Sequence, residues 1–327
     1  MLDEAFHGGR RYWALVAVWA VLILVGIAAY GHQLSVGLGV TGMSRNVSWG
    51  LYIAQFTFMV GVAASAVMVA LPFYLHDYRA FSRTVVLGEI LAVSSVIVCI
   101  TFVTVDLGRP MRVFNLFLHP TPHSVLFFDI VVLFGYLILN VLIGGVTFDA
   151  ERKGAPPPTW IKPVIYLSIP WAVSIHTVTA FLYAGLVARP YWMTAIMAPR
   201  FLAGAFASGP ALVANVAVSL ACIALLVNPS VRRRHGLLAA VSAAVIFAIW
   251  IQKGVSLTIA GFEPSPFGTV TSYVPTLTEL GVIVGVYALG LMVLTVLVRI
   301  VVNVREQHQA LPVTRAGATP SPVGKGD

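Results

Sequence analysis

Long apolar runs, each near the length that crosses a bilayer, constrain this 327-residue chain more than any other feature. A spanning helix needs about 20 mostly apolar residues to cover about 30 Å of hydrocarbon. Such runs lie near 12–31, 49–74, 85–106, 124–146, 163–188, 201–227, 237–254 and 276–303. They predict an all-α, polytopic transmembrane bundle of about eight spanning helices, which divide naturally into two four-helix bundles. Composition agrees, with 59% apolar and 10% charged residues. Soluble domains hold about 45–50% apolar and about 25% charged residues, and one globular core stops growing near about 250–300 residues. The first run is long enough to span and no small-residue cleavage site follows it, so it reads as a helix rather than a signal peptide.

The connections carry turn chemistry: Gly108-Arg109-Pro110, Pro120-Thr121-Pro122, Pro156-Pro157-Pro158, Asn228-Pro229 and Pro264-Ser265-Pro266. Three divisions follow: a short N-terminus at 1–11, a transmembrane domain at 12–304, and a Pro/Gly/Ala-rich tail at 305–327 expected to be disordered. A net charge of +8 would suit nucleic acid, but the basic residues sit in short connections between apolar runs, so membrane topology explains them. Of the 20 Lys and Arg residues, 14 fall at the termini and after the second, fourth and sixth runs. Only Arg45, Arg109, Arg112, Arg189, Arg200 and Lys253 fall on the other side. The positive-inside rule then puts both termini in the cytoplasm. Loops 32–48, 107–123 and 255–275 point outward as a docking surface.

Ionisable side chains at membrane depth cost several kcal/mol on insertion scales, so each is a functional candidate. Glu89, Asp106, Asp129 and Glu279 qualify, with His176 mid-helix beside Thr177 and Thr179, and Gln55, Asn140 and Asn215 as uncharged companions. All but Glu89 among the acids, together with Lys253, fall toward the outer ends of their helices. Structural roles compete for several of these. Asp106 can pair with Arg109 or Arg112 at the interface. Lys253 can snorkel outward or pair with Glu279, and His176 can bond a carbonyl. Gly61 and Ser65 read as residues permitting close helix packing. Asp129, between Phe127-Phe128 and Ile130-Val131-Val132, is the hardest to explain as structure alone.

A membrane haem usually needs paired axial histidines, and of eight histidines only His176 lies well inside a span. The two cysteines, Cys99 and Cys222, are far apart and inside apolar runs, as small buried hydrophobes are. No phosphate-binding loop is present. The sequence therefore predicts no haem, iron–sulfur cluster or other metal cofactor in this chain, and electron chemistry would need a diffusible carrier or a partner's cofactor.

Several strings resemble the NrfD/PsrC family of polysulfide reductase membrane subunits. They are Trp49-Gly50-Leu51-Tyr52-Ile53 with Gln55-Phe56 and Gly61-Val62-Ala63-Ala64, then Asp106-Leu107-Gly108-Arg109-Pro110, Pro120-Thr121-Pro122 with Ser124, and Phe128-Asp129. Later come Ile175-His176-Thr177 with Ala180-Phe181, Pro199-Arg200-Phe201, Ser208-Gly209, and Pro275-Thr276 with Glu279 and Gly281. Thr41-Gly42-Met43-Ser44-Arg45, Trp250-Ile251-Gln252-Lys253-Gly254 and Pro264-Ser265-Pro266 are most similar to its DsrP branch, tied to the DsrMKJOP complex of sulfur metabolism.

The resemblance implies a quinone-reactive subunit of a respiratory redox complex in a bacterial or archaeal cytoplasmic membrane. Such a subunit exchanges electrons between menaquinone or ubiquinone, as a diffusible carrier, and a periplasmic ferredoxin-like iron–sulfur subunit, among other subunits. It also implies a quinone pocket near the outer face, with Asp106 and Asp129 at acidic positions and His176 at a later histidine position. Asp129, Asp106 and His176 are then the catalytic candidates. Gln55, Trp49, Tyr52, Arg109, Lys253 and Glu279 are candidates for holding the headgroup. A secondary transporter or proton-conducting subunit is an alternative, since transporters also place charges at the midplane. A purely structural anchor is another.

Overall fold

A computed structural model of the protein describes residues 5–76, 82–206, 234–262, 268, 270 and 272–310. Among these the chain is helical. We number the helices α1 (Arg10–Val36), α2 (Leu51–His76), α3 (Ser82–Asp106), α4 (Val125–Arg152), α5 (Ile161–Ala184), α6 (Met197–Phe206), α7 (His235–Ile249) and α8 (Leu277–Ala310). Six described segments are long and apolar enough to cross a membrane: α1, most of α3, α4, α5, the continuous stretch Gly236–Phe262 and most of α8. Described residues Leu51–Ser65 of α2 form a further apolar helix. Most of the sixth apolar run lies outside the described residues, as do Asn215, Cys222, Ser265 and the tail from 311.

Helix ends follow local chemistry. Gly37, at φ +96°, closes α1, and its N–H donates to the Gln33 carbonyl at 2.7 Å. Gly154, at φ +63°, turns the chain just after α4. Left-handed backbone of this kind favours glycine at helix C-termini. Pro170 sits inside α5, which membrane helices tolerate because neighbours re-satisfy the freed carbonyl. Two boundaries differ from the sequence expectation. The seventh span runs to Phe262 rather than stopping near Gly254, because a π-helical stretch, Trp250–Ser256, carries the helix past Lys253-Gly254. The eighth runs through residues 305–310, which the polar composition assigns to the tail.

Helices α2, α3, α4 and α5 pack in a ring, α2 on α3, α3 on α4, α4 on α5 and α5 on α2. That ring is one set of four, and the first span is not in it. Helix α1 lies outside, along α8, with most of its surface open to lipid. The close approach is made by Gly26 and Gly285, where a Cβ on either would overlap the other's Cα. Small residues at such crossings let membrane helices meet backbone to backbone. Trp19 adds a hydrogen bond to Thr295 at 3.2 Å. The π-helical stretch packs on α2, and α6 packs on α5 and α2, so the ring is closed over on that side.

The described connections fall at two ends of the bundle. At one end Arg305 forks onto Glu151, with Nε to Oε1 at 2.7 Å and Nη2 to Oε2 at 3.1 Å, while Arg299 and Asn303 hold the His7 carbonyl. At the other end lie the segments around 37–50, 107–124 and 185–196. We expect Ser44→Cys and Val187→Cys, both at exposed positions on that end, to react with an impermeant thiol reagent from the periplasmic side of intact spheroplasts. Lys162→Cys, at the basic end, should label only after lysis. The reverse pattern would invert the orientation.

Candidate functional site

Asp129, in the second turn of α4, is 1% exposed and faces α5. Thr179 Oγ1 donates to its Oδ1 at 3.0 Å and also lies 2.7 Å from the Ile175 carbonyl. One turn away on α5, His176 is wholly buried and neither ring nitrogen has a hydrogen-bond partner. Imidazole nitrogens deprived of water and partners each forfeit a hydrogen bond, so a fixed orphan pair marks a place where polar atoms can be received. Phe201 of α6 lies edge-on to the imidazole, with ring centroids 6.5 Å apart.

Lys253 projects from the π-helical stretch into the same region and is 6% exposed. Its Nζ donates to the Phe201 carbonyl at 3.3 Å and lies 5.1 Å from the centre of the Phe201 ring. Gly61 on α2 makes room for it, since a Cβ there would stand 3.0 Å from Nζ. The Lys253–Glu279 pair that the sequence allows does not form. The ammonium is held by a carbonyl and a ring face, the latter a cation–π contact. Arg200, Phe201, Gln252 and Lys253 border a cavity of about 20 Å³, room for a water-sized molecule.

Glu279 has a different setting. Fully buried at the start of α8, its Oε1 accepts from the Leu51 N–H at 3.1 Å and from the Tyr273 hydroxyl, and its Oε2 accepts from the Gly42 N–H at 3.1 Å. It shares the orphan Leu51 N–H at the start of α2 with the Tyr273 hydroxyl oxygen, 2.7 Å away, and ties α8 to the loop before α2. Gly50 is required beside it, because a Cβ there would come within 2.8 Å of Oε1.

The other predicted residues form the surroundings. Gln55 Oε1 accepts from Trp250 Nε1 at 2.6 Å and from the Tyr287 hydroxyl at 2.5 Å, joining α2, the π-helical stretch and α8. Tyr52 donates to Gln33 Oε1 at 2.6 Å, and Gln33 Nε2 donates to the Val105 carbonyl at 2.7 Å. Next to Val105, Asp106 has a buried Oδ1 without a hydrogen-bond partner, as does the Tyr30 hydroxyl of α1. Among the described residues Asp106 makes no ion pair with Arg109 or Arg112, which are both exposed. Trp49 packs against Tyr183, Trp192 and Phe262.

The fold therefore brings Asp129, His176 and Lys253 into one buried region roofed by the Trp49 cluster. Asp106 lies toward α1, Glu279 at a helix start, and Arg109 on the surface. Glu89 and Asn140 lie in the other half of the bundle, beside an apolar cavity of about 260 Å³ between α3, α4 and α8. Sequence reasoning does not single out Tyr183 or Arg189. Tyr183 bonds two threonines, and Arg189 clamps the Phe262 and Asn46 carbonyls at 2.9 and 2.5 Å while lying over the Phe262 ring. Arg189 stands in a connection between spans, where a basic residue reads as surface, and only packing reveals that it is 8% exposed. Among the described residues no cluster of His, Cys, Asp and Glu is arranged to hold a metal ion.

A bundle of spanning helices around a buried acid, imidazole and amine defines an integral membrane protein with buried polar groups at its core. The chain belongs to the polysulphide reductase NrfD family, whose family model matches residues 39–318. It is similar to a putative dimethyl sulfoxide reductase membrane subunit from Halobacterium salinarum, 30% identical over 227 residues, 64% of this chain and 51% of that one. A selenate reductase subunit from Mesobacillus selenatarsenatis is 25% identical over 228 residues, covering 60% and 54%. An Hdr-like menaquinol oxidoreductase integral membrane subunit from Archaeoglobus fulgidus is 24% identical over 274 residues, covering 82% and 63%. The matched region thus spans between about half and just under two thirds of these relatives.

Proposed function

We propose that this chain is the quinone-reactive membrane subunit of a respiratory redox complex. It would exchange electrons between menaquinol or ubiquinol in the bilayer and an iron–sulfur subunit docked on the outer face, within a pathway of sulfur-compound respiration. The observation that carries this is the buried set Asp129, His176 and Lys253, in a family whose relatives are named as membrane subunits of reductases and of a menaquinol oxidoreductase.

A quinol supplies two electrons and two protons. Asp129 suits the role of acceptor for a hydroxyl proton, since it carries a single hydroxyl donor and, among the described residues, no cation within ion-pair distance. His176 can donate to or accept from the second ring oxygen through nitrogens the protein leaves unpartnered. Lys253 places a donor beside them. The Trp49, Trp192 and Phe262 rings, packed on one another, exclude water from the outer side.

Electrons leave through a partner in this reading, so a tagged chain purified gently from its native membrane should bring down an iron-containing companion, with iron–sulfur absorbance that bleaches on adding a reduced quinol analogue. A chain isolated alone that is active without any iron-containing companion would overturn the proposal in favour of the transporter alternative.

A further inference from the structure

Two contacts hold α1 to α8 inside the membrane: Gly26 lies against Gly285, and Trp19 Nε1 donates to Thr295 Oγ1 at 3.2 Å. On the basic side of that hydrogen bond a groove of about 450 Å³ lies between the two helices. Tyr12 and Leu15 border it from α1, and Leu294, Val298, Arg299 and Val302 from α8, with Thr295 toward its inner end. Residues four apart share a helix face, so Leu294, Val298 and Val302 form one apolar strip. By the same spacing Arg11, one turn before Leu15, stands on the face of α1 that borders the groove.

The groove changes character along its length. Its inner part, around Leu15, Leu294 and Val298, is apolar. Above it, Arg299 Nε donates to the His7 carbonyl at 3.0 Å, and the guanidinium lies 5.9 Å from the centre of the Tyr12 ring. The Tyr12 hydroxyl donates to the Ala5 carbonyl at 3.0 Å, so the segment before α1 folds over this end. At about 1.5 Å per residue, Arg299 stands about 33 Å along α8 from Leu277. A hydrocarbon layer is about 30 Å thick. The guanidinium therefore falls at headgroup level, with Leu294 and Val298 below it in hydrocarbon.

The charges at the mouth of the groove lack counter-ions. Among the described residues Arg10, Arg11 and Arg299 have no carboxylate within ion-pair distance, whereas Arg152, Lys153 and Arg305 at the same end are each paired. Arg299 Nε is occupied by the His7 carbonyl, and the terminal N–H groups of a guanidinium form the fork that matches a phosphate. A zwitterionic headgroup would bring a further cation to this cluster. An anionic headgroup brings only the phosphate.

We propose that the groove binds an anionic phospholipid, with one acyl chain between Leu15 and Val298 and the phosphate on Arg299 and Arg11. The lipid joins α1 to α8 at the level where the two helices leave a gap. It thereby fastens the first helix, most of whose surface is open, against the rest of the bundle.

The test uses the purified complex, washed free of lipid in detergent and titrated with dioleoyl phosphatidylglycerol or dioleoyl phosphatidylcholine. Bound lipid is counted by native mass spectrometry. The tightest site should prefer phosphatidylglycerol by about tenfold or more, the scale expected of two basic side chains at a lipid surface. Arg299→Gln, which keeps a donor for the His7 carbonyl, should abolish that preference, and Arg11→Gln should weaken it. Leu15→Trp fills the groove and leaves the arginines in place, so it should lose the bound lipid as well. None of these readouts involves quinol, so the result is independent of the quinol reading. Equal binding of the two lipids by the wild type, or an unchanged preference in Arg299→Gln, would overturn the proposal. Full retention of phosphatidylglycerol in Leu15→Trp would also overturn it, by showing that the arginines hold a headgroup without the groove. If Arg299→Gln fails to assemble, Arg11→Gln and Leu15→Trp decide.

Discussion

Asp129→Asn is expected to leave the complex assembled and to lower quinol-linked electron transfer by about one to two orders of magnitude. The side chain keeps its shape, and an amide is easier to bury than a charge. The amide oxygen can still accept from Thr179, whose hydroxyl now meets Asp129 Oδ1 at 3.0 Å. What is lost is a proton acceptor, and removing a positioned general base typically costs about 10²–10⁴-fold where proton transfer limits the rate. Asp106→Asn should cost less, because a residue toward the bundle's end can be replaced by water. The measurement is quinol-dependent reduction of the partner's clusters in membranes, with assembly checked by blotting. Near-wild-type rates in a fully assembled Asp129→Asn complex would remove this residue from the mechanism and make His176 the next choice.

The second large effect is on stability. Glu279→Ala removes the acceptor for the Gly42 N–H and the Tyr273 hydroxyl at a fully buried position, while the Leu51 N–H keeps the Tyr273 oxygen at 2.7 Å. Each stranded donor costs about 1–3 kcal/mol, and the loss falls where α2, α8 and the loop before α2 meet. The expected result is a marked fall in the thermal unfolding midpoint in detergent and little assembled protein in membranes. Glu279→Gln, with one acceptor oxygen left, should fall between. Full stability in Glu279→Ala would show that the loop is held by other contacts. An intact fold with quinol affinity lost in Glu279→Gln would return this residue to the headgroup-holding set.

Membrane helices are legible because the bilayer sets their length and backbone pairing is internal to each. Hence the spans near 85–106 and 124–146 coincide closely with α3 and the spanning part of α4. The end of the seventh span is illegible because Lys253-Gly254 reads as a boundary, whereas the π-helical stretch carries the lysine inside and Gly61 opposite leaves space for it. Asp129 and His176 are visible as polar residues amid apolar ones. Their separation from Glu279 is not, because depth along a helix does not state which face a side chain presents. Thr179 stands out in the sequence only as a neighbour of His176, since a threonine's partner lies on another helix. Arg189 carries no signal at all, because a basic residue in a loop between spans is ordinarily a topology marker.

The most direct test of the central claim is the quinone content of the gently purified complex, compared between wild type and variants of the buried core. The account predicts stoichiometric quinone in the wild type, and its loss in His176→Leu and Lys253→Met with every partner protein still present. A wild-type complex without quinone, or core variants that retain it in full, would contradict the assignment of quinol chemistry to Asp129, His176 and Lys253.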